Sequence, residues 1–246
     1  MFIFKFEAFT TPCELHIDTE NEIFAQYVAH IISLEAKRLE QKYGFFLENS
    51  ELYKINHRTS NNVLLDEEFT SLVKLALFYY DKTLGAFDVT LDGTIKLEEN
   101  QLIFSNDNTK IDFGGLVKEY AVDISIAILK DYKIKSALVN FGGDLAAIGT
   151  NNAEKWNIGI EDPNNENQII ETIQMDNNSL CSSGHSKRYK EINNKKISHI
   201  IVKEKNNYQQ ISIMAPTTVD AGVWSTALLS KPSLIPPSHI KIVKKV

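Results

Sequence analysis

Large apolar residues alternate with polar or smaller ones at the start of the chain, at Phe2, Phe4, Phe6 and Ala8 and again at Cys13, Leu15 and Ile17. Such period-two alternation predicts half-buried β-strands, and the break at Thr10–Pro12 predicts two strands or one strongly bent one. Helical spacing follows: Phe24, Val28, Ile31 and Leu39 share a face up to about Gln41, with Asp18 or Thr19 available as the cap. LDEEF at Leu65–Phe69 opens a second helix with Phe69, Leu72, Val73, Ala76 and Tyr80 on one side. Its acidic first turn suits the helix dipole. A third helix carries Val117, Ala121, Ile124 and Ile128, and a last one is expected at about Asp220–Ser230.

Between these helices the pattern returns to strands and turns. LGAFDVT reads as a turn, LEENQLIFSNDNTK as a polar hairpin, and ALVNFGGDLAAIG as strand, tight turn, strand. WNIGIED, IIETIQM, KISHIIVK, QQISIMA and HIKIVKKV are further strand candidates, and the Asn-rich stretches read as hairpin tips. Hairpins mixed with three to four long helices predict an α+β fold with an antiparallel or mixed sheet, not a doubly wound parallel one. One domain over residues 1–246 is expected.

Composition narrows the function classes. The chain has 246 residues, a formal charge of −6 and a pI of about 5.6, so it lacks the basic surface by which nucleic-acid binders are recognised. No segment approaches the ~20 apolar residues of a membrane span. The short N-terminal run contains Lys5 and Glu7 and reads as a strand, not a secretory signal. Cys13 and Cys181 form no C-x-x-C and are expected as buried thiols in a reduced, cytoplasmic protein.

Phosphate-binding and Rossmann glycine fingerprints are absent, as are H-x-x-x-H spacing among the six histidines and a G-x-S-x-G elbow. What remains are glycine-rich turns. In Ile111–Asp123 (IDFGGLVKEYAVD), two glycines stand between a strand and a helix, so backbone N–H groups and the helix dipole suit an anion. The same turn also reads as a plain connection with a solvated Lys118. Gly85–Thr90 (GAFDVT) sets a ring beside a carboxylate, which suits a flat heteroaromatic ligand or a packed core. His199 lies in an expected strand, and Trp224-Ser225-Thr226 offers two hydroxyls to a hard cation or to the helix backbone.

In combination and order these segments resemble the ApbE family, the FAD:protein FMN transferases. The resemblance runs through FEAFTTPCELHI, SELYKIN, GAFDVT, IDFGGLVKEYAVD, ALVNFGGDLAAIG, WNIGIEDP, LCSSG, SHI and APTTVDAGVWSTALL. It implies a single domain that binds FAD with Mg2+ and moves the FMN half onto a threonine or serine of a target flavoprotein, releasing AMP. By the same resemblance Ala86, Phe87, Asp88, Asp112, Lys118 and Ile200 line the FAD cleft. His199 is then the general base, and Gly115, Ser225 and Thr226 are the metal ligands.

The departures from that pattern touch the metal. Many members carry A-D-x-x-x-T in the last helix, and here Gly222 stands at the aspartate position while Thr226 remains, an A-G-x-x-S-T ending shared by a branch of the family. Asp220 would substitute only if the helix start shifted. Phe9 and Thr10 replace a Met-Gly pair, the D-P-x-T-G after His-Ile is missing, and the stretch between GAFDVT and IDFGG is short. Losing a charged ligand weakens binding of a hard dication, although substrate phosphates compensate in part. The expectation is weak, FAD-dependent magnesium binding or none. The alternative to an active transferase is an FAD-binding homologue acting as a flavin carrier or interaction module.

Overall fold

The computed structural model describes residues 1–246 except 152, 185–188, 193–194, 199–202 and 206, with the backbone alone at 166–167, 189–192 and 195–198. The opening alternation gives β1 (Phe2–Ala8) and β2 (Thr11–Ile17), an antiparallel hairpin in register Phe2↔Ile17 to Ala8↔Thr11. Its two-residue loop is Phe9–Thr10, both at φ 54°, as a type I′ turn requires. Helix α1 (Glu22–Tyr43) follows, then α2 (Glu51–Asn56), β3 (Asn62–Leu64) and α3 (Glu67–Lys82). The cap of α1 is Asn21, whose side chain accepts from the Phe24 amide, and not Asp18 or Thr19. Its buried stripe runs through Val28, Ile32, Ala36 and Leu39, so Ile31 is displaced toward the surface. Asp66 caps α3 as the acidic LDEEF start implies.

Short strands β4 (Thr90–Leu91), β5 (Ile95–Glu98), β6 (Gln101–Phe104) and β7 (Lys110–Ile111) lead to α4 (Val117–Asp131). β3, β6 and β5 form one small sheet and β4 pairs β7 in another. Then come β8 (Ala137–Phe141), β9 (Asp144–Ile148), β10 (Trp156–Asp162), β11 (Asn165–Met175), β12 (Ser179–Gly184), β13 (Tyr189–Ile192), β14 (Lys195–Ser198), β15 (Gln210–Ala215), α5 (Thr218–Ser230) and β16 (Lys241–Lys245).

Seven strands make the main sheet in the order β1-β2-β8-β9-β12-β15-β16, every adjacent pair antiparallel. Helices α1, α4 and α5 cover one face. The period of two explains how both faces are buried: Val139 and Phe141 point into the helical core, while Leu138, Ala147 and Leu180 meet Trp156, Ile158 and Ile160 of the β10–β11 hairpin. Helix α5 is buried on nearly all sides, between β12, β15 and α4, as expected of a helix with few polar positions. This is an α+β architecture with a large antiparallel sheet and four long helices. Among the described residues no helix is long and apolar enough to cross a membrane.

Candidate active site

The C-terminus of α3 winds into Gly85–Asp88 through two residues in the left-handed region, Leu84 at φ 52° and Gly85 at φ 73°. The Gly85 amide returns to the Tyr80 carbonyl at 2.8 Å, a helix-ending bond. Thr83, fully buried, donates to the Tyr79 carbonyl and accepts from the Phe87 amide at 3.0 Å. The turn is therefore fixed by its own sequence. Ala86 and Phe87 are buried, whereas Asp88 is exposed and its Oδ1 accepts from the Thr90 amide and hydroxyl.

This turn is stitched to the second glycine turn. β4 pairs β7 through Thr90↔Ile111, and the Asp112 amide donates to the Val89 carbonyl at 2.8 Å. Buried Asn56, at the end of α2, clamps Ile111 from the other side: its Nδ2 donates to the Ile111 carbonyl and its Oδ1 accepts from the Ile111 amide, both at 2.8 Å. The short α2 was not foreseen, although SELYKIN marks the place. Asp112 Oδ1 accepts from the Gly114 amide, and Gly115 lies so close to Phe87 that an added Cβ would sit 3.6 Å from the ring.

One turn on, α4 presents Lys118 and Glu119, both more than nine-tenths buried. A lysine in the first turn of a helix opposes the dipole, and here Asp144 offsets it in a buried ion pair at the start of β9. Lys118 Nζ also donates to the Phe141 carbonyl at 3.3 Å. Asp144 follows the tight turn Gly142–Gly143, at φ 60° and 94°. A side chain at Gly142 would collide with Thr11 Oγ1, so the N-terminal hairpin and this turn close on one another. Lys118 is thus no solvated side chain.

Glu119 points toward α5. A Cβ placed on Gly222 would fall 2.5 Å from Glu119 Cγ and 3.2 Å from its Oε1, so the glutamate fills the space above that glycine. Residues 222, 225 and 226 share a face of α5 by helical spacing. Ser225 and Thr226 hydroxyls lie 2.7 and 2.9 Å from Ser183 Oγ of β12, and Ser225 Oγ donates to the Gly222 carbonyl. Nearby Cys181 reports the same neighbourhood. Burial pushes its thiol well above the usual range, Asp144 and Glu119 add to the rise, and Lys118 opposes it. Sequence reading found Ser225 and Thr226 but missed Ser183 and Glu119; the K-E pair inside IDFGGLVKEYAVD was the available signal.

The start of α5 is occupied otherwise. The Asp123 carboxylate accepts from the Thr218 and Val219 amides at 2.7 and 3.0 Å, and burial, its largest influence, raises its pKa against those donors. Asp220 accepts from the Tyr79 hydroxyl at 2.7 Å and from Thr217. It serves the cap, so it does not replace the carboxylate missing at Gly222. His199 and Ile200 lie outside the described residues; Lys203, just beyond, donates to the Gly85 carbonyl.

The first turn of α4 therefore gathers Phe87, Gly115, Lys118, Asp144, Glu119, Ser225 and Thr226. Asp88 faces a depression of only about 90 Å³ lined by Tyr80, Val89, Thr90 and Ile95, below the ~300–1,000 Å³ of ligand pockets. A larger groove of about 470 Å³ lies away from these residues, between β1 and α1. Among the described residues no three His, Cys, Asp or Glu side chains form a metal-holding group. The donors at α5 are one carboxylate and three hydroxyls, hard oxygens that fit Mg2+ assisted by ligand phosphates far better than zinc.

Comparison with known proteins gives a consistent picture. A model of the ApbE family matches residues 9–100 and 92–234. A FAD:protein FMN transferase of Buchnera aphidicola is 24% identical over 246 residues, covering 81% of this chain and 72% of that protein. The match to the Salmonella typhimurium protein of the same name is 26% identical and takes in 48% of this chain but only 36% of that protein. In three dimensions the ApbE protein of Thermotoga maritima superposes with a TM-score of 0.84 at 24% identity, over 94% of this chain and 87% of that one; at such identity the likeness speaks for the fold alone.

Proposed function

Since this chain belongs to the ApbE family, we propose that it is a FAD:protein FMN transferase, moving the FMN half of FAD onto a threonine or serine hydroxyl of a target flavoprotein. In this reading residues 1–246 act as one unit. The hydroxyl oxygen forms a bond to the FMN phosphorus, the pyrophosphate P–O bond breaks, AMP leaves with the bonding pair, and the hydroxyl proton passes to a base. His199 is the proposed base, because an imidazole takes a proton near neutral pH.

The observation that carries the proposal is the convergence of the glycine turns, the Lys118–Asp144 pair and the α5 hydroxyls on one helix start. Each of these groups has a role. The backbone of Asp112–Gly115 and the α4 dipole favour the phosphates, while Lys118, held by Asp144, keeps the turn rigid beneath them. Ala86, Phe87, Asp88 and Ile200 are assigned to the flavin side. Gly115, Ser225 and Thr226 are the proposed ligands of Mg2+, which would neutralise phosphate charge. Preorganisation of this kind is where rate enhancement in such displacements arises. Two buried free thiols, Cys13 and Cys181, are in keeping with a reducing compartment, the cytoplasm in this proposal.

The test is in-gel flavin fluorescence of candidate flavoproteins after incubation with the protein, FAD and Mg2+. Fluorescence should follow the acceptor and vanish when its hydroxyl residue becomes alanine. No labelled acceptor under any divalent metal would count decisively against the proposal. The second reading, an FAD carrier without transfer, is favoured by Gly222 at the aspartate position; it requires FAD binding indifferent to EDTA.

A further inference from the structure

The space above Gly222 is the clearest feature that the sequence did not announce. On α5 it lies one turn before Ser225 and Thr226, where a ligand to a cation bound by those hydroxyls would stand. It is filled from the neighbouring helix: Glu119 is 94% buried, with its Cγ 2.5 Å and its Oε1 3.2 Å from where a Cβ at 222 would be. The two positions exclude one another. A side chain at 222 would collide with the glutamate, so the site admits a carboxylate from α5 or from α4, but not from both. Glutamate suits the longer route, since its two methylenes carry the carboxylate across the gap between the helices.

We propose that Glu119 supplies the anionic metal ligand of this site, taking over from α4 the position that Gly222 leaves open on α5, with Ser225 and Thr226 completing the protein donors. A carboxylate beside neutral hydroxyls is the donor set of a hard dication, and an ion bound mainly by one carboxylate takes its other charges from substrate phosphates. Binding is accordingly conditional on FAD. The proposal rests on the flavin-transfer reading for the identity of the phosphate ligand, but binding of the metal is measured apart from transfer.

The experiment titrates Mn2+, as a spectroscopic probe, into the protein with FAD and follows it by electron paramagnetic resonance. The same is done for Glu119→Gln and for the exchanged pair Glu119→Gly with Gly222→Asp. Glu119→Gln should weaken Mn2+ binding at least tenfold while FAD affinity in EDTA stays within twofold, and the exchanged pair should recover most of the loss. Should Glu119→Gln unfold, as circular dichroism would reveal, Glu119→Asp replaces it; its carboxylate, one methylene short, should weaken Mn2+ binding severalfold. Wild-type Mn2+ affinity in the glutamine or aspartate variant, or no Mn2+ binding by the wild type with FAD, overturns the proposal. Glu119-dependent Mn2+ binding without flavin transfer would sink the transferase reading and leave this inference standing.

Discussion

At the scale of single residues, two polar or conformational choices hold the site. Asn56 satisfies both backbone groups of Ile111 just before the D-F-G-G turn. Its loss leaves a buried amide and carbonyl unpaired, each costing about 1–3 kcal/mol. Asn56→Ala should therefore destabilise the protein by about 2–4 kcal/mol in urea titration and weaken FAD binding through the displaced turn. The Gly142–Gly143 turn offers an internal contrast. Both residues have positive φ, but Gly142 abuts Thr11 while nothing lies within 4 Å of a Cβ at Gly143. Gly143→Ala should cost only the backbone term of about 1–2 kcal/mol, and Gly142→Ala should cost clearly more through added overpacking. Equal losses in thermal denaturation would refute the Thr11 contact.

Between elements, charge fixes α1 against the start of α3. Arg38 meets Glu68 at 2.5 Å, and Lys42 meets Asp66 and Glu68 at 2.5 and 2.8 Å. The Arg38 guanidinium, aided by Lys42 and opposed by burial, holds the Glu68 carboxyl down at about 2. Since the folded pKa lies below the unfolded one, this stability is fully present above about pH 4.5 and is lost as pH falls toward 2. A shift of that size corresponds to about 3 kcal/mol before screening. With 27% of the Glu68 side chain in solvent, about 1–2 kcal/mol is the expected contribution. Glu68→Gln should flatten the acid limb of the stability–pH curve between pH 4.5 and 2 by that amount.

Element by element, the strands were the most legible part of the sequence, because β1, β2 and β10 alternate in period two, while β8, β9 and β15, covered on both faces, read as short apolar runs between turn residues. Less legible was whatever depended on a partner in space. Asn21 outcompeted nearer-looking caps for α1, and α2 is too short to show a period. In α4 the buried line runs through Val122, Ser125 and Leu129 beside Ala121, because the sheet and α1 cover it from two sides. Glu119 reads as a solvated charge on any helical wheel; only the empty side of Gly222 on another helix gives it a place.

For the molecule as a whole, one sheet carries helices on one face and a hairpin on the other, and the turns at one end of this arrangement converge on the first turn of α4. The groups proposed for the phosphate side are pinned by the Lys118–Asp144 pair and the Asp112–Gly114 bond, whereas Asp88, proposed for the flavin side, borders a hollow of about 90 Å³. Anion recognition is therefore expected to be preformed, and the metal site and the ring side to be completed when FAD binds. The most direct measurement is the stoichiometry of AMP released from FAD against FMN attached to an acceptor flavoprotein. Equal amounts of the two are expected, both abolished by EDTA and by His199→Ala. FAD bound with no AMP formed, for every acceptor and every divalent ion tried, would contradict the transferase reading.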